Sequence, residues 1–267
     1  MNKYIFTDLA NEMMGESVFD QEILSEDVRK LVEVTENHRH VIFFSPKLWL
    51  LDDKSFESLK NGIISELGYM ISKECSYKKS DISVMIIGLG NPYLTTDSLG
   101  SETVKRIIIP DLTIGKKYCI KAVAPNVEGN TGINTVTAIK AYVDAIRPDV
   151  LIAVDSLRAR SYERLASTVQ ISDGGIAPGG GLEHGRSKLS YEAVGIPVIS
   201  VGVPVAVNSS TMIIEVLREC GINANKSELK KILENNLNFL VTPKESDLLI
   251  RSAAILLSSA INGTLQT

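Results

Sequence analysis

Two aspartates stand where an α/β protein could use them for chemistry. Asp97 lies in "IIGLGNPYLTTDSLG", ten residues past an apolar run that ends at Ile87, and Asp155 directly follows the apolar run "VLIAV". In open parallel sheets, sites form in the crevice at the carboxyl ends of the strands, so neighbouring strands would bring the two carboxylates together. Two carboxylates a few ångströms apart do not both ionise cheaply, so one pKa rises and the other falls. One can then accept a proton from water while the other donates to a leaving group or carbonyl, which suits hydrolysis of an amide. The competing reading is that each Asp caps a following helix or turn, the commoner use of an isolated Asp after a strand.

The loop around Asp97 also begins like a dinucleotide site: a strand, Gly88-Leu89-Gly90, then a helix-like run. The third glycine is missing, Asp97 would repel phosphate, and no GxxxxGK[ST] occurs in the chain. Gly88 and Gly90 read instead as residues that permit a tight turn and close backbone approach, with Asn91 holding the turn through its side chain. A second loop, "DGGIAPGGGLEHGR", holds six glycines and a proline between 173 and 186. Such a segment is either a flap over an extended peptide or a long connection. Asp173, which opens it, is counted with Gly88, Gly90 and Asn91 as loop support. His184 within it offers a metal alternative, in which Asp97, Asp155 and His184 meet as a carboxylate and imidazole set. An exposed loop histidine without a role is the simpler reading. No GxSxG supports a serine nucleophile, and no cysteine has a suggestive neighbour.

The elements that must position these residues are legible from Ser83 onward. A strand at 84–87 leads through the Asp97 loop to a helix at about 101–108. "KYCIKAVAP" reads as a strand, "NVEGNTG" as a loop, and "TVTAIKAYVDAI" as a helix that ends before Pro148. "DVLIAVDSL" and "IPVISVGVPV" read as strands buried on both faces. Alternating strands and helices with continuous apolar runs predict a largely parallel sheet covered on both faces. Residues 13–80 are less readable. "HVIFF" is a strand candidate, "SFESLKNGIISELGYMISK" has helical spacing, and "SEDVRKLVEV" fits either. "ESDLLIRSAAILLSSAINGTL" predicts a buried C-terminal helix, its run too short and too interrupted by Arg251 for a membrane role.

With 267 residues and no repeat or low-complexity linker, a single α/β domain over 1–267 is expected. A net charge of −4 gives no electrostatic reason for direct nucleic-acid binding. Cys75, Cys119 and Cys220 are widely spaced and read as reduced packing thiols of a soluble, intracellular protein. No cofactor and no membrane partner is expected.

Several motifs, in this order, resemble the germination protease family of spore-forming bacteria: "GLGNPYLTTDSLG", "APNVEGNTGINT", "IAVDSLRARS", "TVQISDGGIAPGGG", "GIPVISVGVPVAV" and "LVTPKESD". "TDLANE" at 7–12 resembles the start of the mature enzymes. The resemblance implies an aspartic-type endopeptidase that degrades small acid-soluble spore proteins during germination. It places the two catalytic aspartates at Asp97 and Asp155. It further implies a homotetramer, zymogen control by an N-terminal propeptide, and a cytoplasmic location in the forespore or spore core. The expected architecture is three-layer α/β/α with a mainly parallel central sheet, similar to that of hydrogenase-maturation endopeptidases. Residues 1–6 would be a short leader or propeptide, shorter than is usual in the family. The chain departs from the family pattern at Thr96, Ser101, Gly174 and Asn208, so a divergent relative that binds spore proteins without cleaving them is the alternative, beside a metal-dependent maturation-type endopeptidase.

Overall fold

The computed structural model describes residues 20–35, 37–78, 80–110, 117–177, 188–222 and 239–266. Nine strands among them form one sheet. These are β1 (Asp20–Ile23), β2 (Arg29–Val34), β3 (Arg39–Phe44), β4 (Ile82–Gly88), β5 (Tyr118–Val123), β6 (Val150–Ala159), β7 (Thr168–Ser172), β8 (Val198–Asn208) and β9 (Leu240–Val241). Their order is β1-β2-β3-β7-β8-β6-β4-β5, with β9 paired to β8.

The half that carries both aspartates is parallel, as the Val/Ile runs predict: β5-β4-β6-β8 all point the same way. The other half is not. β1, β2, β3 and β7 are linked antiparallel to one another and to β8, so the sheet is mixed rather than mainly parallel. Short connections decide this for β1, β2 and β3, because a tight turn joins antiparallel strands whereas a parallel pair needs a crossover. Within the ambiguous "SEDVRKLVEV", Arg29–Val34 becomes β2, held between β1 and β3.

Helices cover both faces. α1 (Asp53–Glu74), α2 (Leu99–Val104) and α5 (Ser246–Leu265) lie on one side, α3 (Thr135–Ile146) on the other, and α4 (Ser209–Glu219) follows β8. Alternate residues of β4 divide between the two sides. Val84 and Ile86 join the cluster with Leu59, Ile63 and Leu257, while Met85 and Ile87 join Val136, Ile139 and Val143. That is why the central strands read as continuous apolar runs. α1 begins where Asp52 accepts the Ser55 amide at 2.7 Å, and its Leu59, Ile63, Leu67 and Ile71 repeat every fourth residue onto the core. α5 is long and apolar enough to cross a membrane by composition, yet its Leu249, Ala253, Leu257 and Ile261 are buried against the sheet and α1. The three cysteines are unpaired, with Cys75 buried and Cys220 exposed.

The antiparallel half carries a buried charge cluster. Glu66 of α1 receives both Arg39 Nε at 3.0 Å and Arg39 Nη2 at 3.1 Å, and pairs with Lys30 Nζ at 2.8 Å. Burial works to raise the Glu66 carboxyl, but the hydrogen bonds and charges of Arg39 and Lys30 outweigh it and hold it below its ordinary value. On β3, His40 is buried opposite Glu33. Burial pushes its imidazole below the ordinary 6.5, against the opposing pull of Glu33 and Asp173.

Candidate active site

β4 and β6 run side by side as far as Gly88 and Val154, where β4 ends and the Leu89 amide donates to the Val154 carbonyl at 2.8 Å. Asp155 is therefore the first β6 residue without a β4 partner. The sequence places it just past a strand, whereas it lies inside one. β6 continues to Ala159 because β8 stays beside it, pairing Gly202 with Asp155. The Asp155 side chain is buried, on the face of β6 shared with Leu151 and Ala153, and its Oδ1 accepts the Ser156 amide at 2.8 Å.

Asp97 reaches the same edge from the neighbouring strand. It closes the 3-10 turn Thr95–Asp97, which packs against β6 and α5, and it is half-buried. Its Oδ2 accepts the Asn91 amide at 2.8 Å, and its own amide donates to the Leu94 carbonyl at 2.8 Å. Asn91 Oδ1 in turn accepts the Tyr93 amide at 3.0 Å, so the turn is held by the Asn91 side chain as its residue type predicts.

The two glycines act separately. Gly90 has φ +98°, and a Cβ there would lie 2.0 Å from the Asp97 carbonyl oxygen. Gly88 has no such turn to make. It lets α2 pack on β4, since a Cβ there would meet the Gly100 carbonyl oxygen at 2.3 Å. Sequence reasoning missed the partner in that approach. Gly100 is the second residue of the helix that follows Asp97, where a glycine lowers helix propensity and marks a close contact.

Asp173 does not join this edge. It follows β7, whose Ser172 pairs with Ser200 near the start of β8, and its Oδ1 accepts the Arg39 amide at 2.8 Å while Lys73 Nζ reaches Oδ2 at 3.1 Å. It ties β7 to β3 and α1 on the antiparallel half. His184 lies outside the described residues, so the metal alternative loses its imidazole from view. Among the described residues no group of three His, Cys, Asp or Glu side chains is arranged to hold a metal ion. The segments 1–6 and 7–12 also lie outside them. Of the departures, Ser101 is buried with its Oγ donating to the Ser98 carbonyl at 2.9 Å, and the Gly174 amide donates to Ser172 Oγ at 3.0 Å. Asn208 is fully buried, with both amide atoms unpartnered among the described residues. Thr96 is half-buried in the Asp97 turn.

The chain is similar to several known proteins. A family model described as germination protease matches residues 21–226. The germination protease of Caldanaerobacter subterraneus subsp. tengcongensis is 35% identical over 246 residues, covering 81% of this chain and 73% of its own. That of Clostridium acetobutylicum is 34% identical over 251 residues, covering 83% and 76%. Among solved structures, the [NiFe] hydrogenase maturation protease HycI from Thermococcus kodakarensis KOD1 is similar at 16% identity and a TM-score of 0.40, over 76% of this chain and 99% of that one. With the family model spanning most of the sequence, and relatives of that name aligned along most of their own length, the chain belongs to the germination protease family.

Proposed function

We propose that this chain is an aspartic-type endopeptidase that cuts small acid-soluble spore proteins during germination, with Asp97 and Asp155 as its acid/base pair. The observation that carries the reading is the junction at Val154. There the strand leading to Asp97 stops, and the next residue of its neighbour is Asp155. In the mechanism, the ionised carboxylate of the pair takes a proton from water as its oxygen attacks the scissile carbonyl. The protonated carboxyl hydrogen-bonds the carbonyl oxygen as it gains negative charge. Collapse of the tetrahedral intermediate breaks the C–N bond, and the leaving nitrogen takes the proton gained from water. The enzyme works as a homotetramer in the spore core.

The test is to incubate the purified chain with a small acid-soluble spore protein and to map products by mass spectrometry, beside Asp97→Asn and Asp155→Asn. The expected result is discrete internal cleavage by the wild type and a loss of at least about 100-fold in each variant, with unchanged circular dichroism. Wild-type cleavage by both variants overturns the aspartate pair. Binding of the spore protein without cleavage by the wild type turns the reading toward a non-catalytic relative. Mass measurement in solution tests the tetramer.

A further inference from the structure

A chain of three asparagines joins the Asp97 turn to the next loop along the sheet edge. Asn130 Nδ2 donates to Asn91 Oδ1 at 3.0 Å and to Asn126 Oδ1 at 2.9 Å. Asn126 Oδ1 also accepts the Val127 amide at 2.8 Å, and Asn126 holds a left-handed φ of 71°, which asparagine tolerates better than most residues. Asn91 Oδ1 thus has two donors, the Tyr93 amide and Asn130, which fixes the oxygen toward them. The backbone amide of the same Asn91 is the one that donates to Asp97 Oδ2.

From this geometry we infer that Asn130 is a positioning residue for Asp97, clipping the loop after β5 onto the turn that aims the carboxylate. The inference rests on the aspartate-pair reading. The short helical turn that carries Asn130, Glu128–Thr131, buries none of its residues. It therefore adds no core packing, and the side-chain bond to Asn91 contributes little to global stability because it is exposed. Its effect falls on orientation. Without Asn130, the Asx turn at Asn91 retains a single donor, the direction of the Asn91 amide relaxes, and Asp97 Oδ2 is held less firmly. Misplacement of a reacting group on that scale weighs on the chemical step rather than on substrate affinity.

Three variants of the full chain test the clip: Asn130→Ala, Asn130→Asp, which keeps the size and removes the Nδ2 donor, and Asn126→Ala. Cleavage of a spore-protein peptide is followed across pH, and amide hydrogen exchange is followed at Asn91. In both Asn130 variants kcat falls between about 10- and 100-fold with KM changed less than about 2-fold. The kcat profile against pH changes shape, because one carboxylate of the pair is held less firmly. Exchange at the Asn91 amide speeds up at least about 10-fold, because a hydrogen bond that opens more often protects less. Asn126→Ala shows the same pattern more weakly, and it carries the test if an Asn130 variant fails to fold. Unchanged exchange at Asn91, or a loss of kcat with no change in that exchange or in the pH profile, overturns the inference. Asp97→Asn separates the two readings. If it still cleaves, the aspartate pair fails, and the exchange measurement alone then decides whether the clip holds the turn.

Discussion

Gly100 sits against the carbonyl oxygen of Val154, close enough that a Cβ on it would lie 2.5 Å from that oxygen and 2.3 Å from the carbonyl oxygen of Leu89. The helix that follows one proposed catalytic residue is thus pressed onto the backbone of the strand that carries the other. Both neighbours are main-chain atoms in a hydrogen-bonded sheet, so neither can rotate away as a side chain could.

Gly100→Ala is expected to destabilise the protein by between about 1 and 3 kcal/mol, since α2 must lift off β4 and β6 to admit the methyl group. The urea midpoint measures this. Activity should fall further than stability explains, because the Asp97 turn moves with α2. An unchanged midpoint and rate would mean that the edge relaxes at no cost.

Glu66→Leu is expected to cost about 3 kcal/mol at pH 7, because it takes the carboxylate from the part-buried Arg39 guanidinium, while Lys30 keeps its bond to Glu22. In the wild type the Glu66 pKa is depressed by those partners. Its contribution is therefore complete above the ordinary 4.5 and is lost as pH falls through the lower folded value. Denaturant titrations at pH 7 and pH 3 should show a difference between variant and wild type that shrinks at the lower pH.

His40 acts in a separate window. Its folded pKa is pushed down by burial, so the unfolded chain binds the proton more readily. Stability is full above about pH 6.5 and declines as pH falls from there toward the depressed folded value. His40→Leu should flatten the Tm profile between about pH 6.5 and pH 5, ahead of the region where Glu66 begins to titrate. An identical slope in wild type and variant would refute the assignment.

Burial raises the Cys75 thiol to about 11. In native protein at pH 8, iodoacetamide is expected to modify the exposed Cys220 readily and Cys75 only after unfolding. Peptide mass mapping under both conditions checks the order.

Much of the parallel half was legible because its residues obey local rules. The run Val84–Ile87 is too apolar and too short for anything but a buried strand, and α3 ends ahead of Pro148 as its sequence predicts. The antiparallel half was harder. Leu31 and Val32 in "RKLVEV" satisfy a strand or a helix equally, and only pairing with β1 and β3 selects the strand. Asp173 misled for a related reason. A glycine-rich loop next to it looks functional, but the register of β7 on β3 puts it beside Arg39, within reach of Lys73.

By itself the sequence determined the residue types, the apolar periodicities and the motif order, and with them the family and the choice of Asp97 and Asp155. Those properties are local, or are read one residue at a time. Tertiary structure decided what depends on contacts between distant segments. It set Asp155 inside β6 at the point where β4 ends, matched Gly88 to Gly100 across helix and strand, and brought Asn130 to Asn91. Strand order and loop closure bring these residues together only once the sheet has formed, and no periodicity along the chain encodes them.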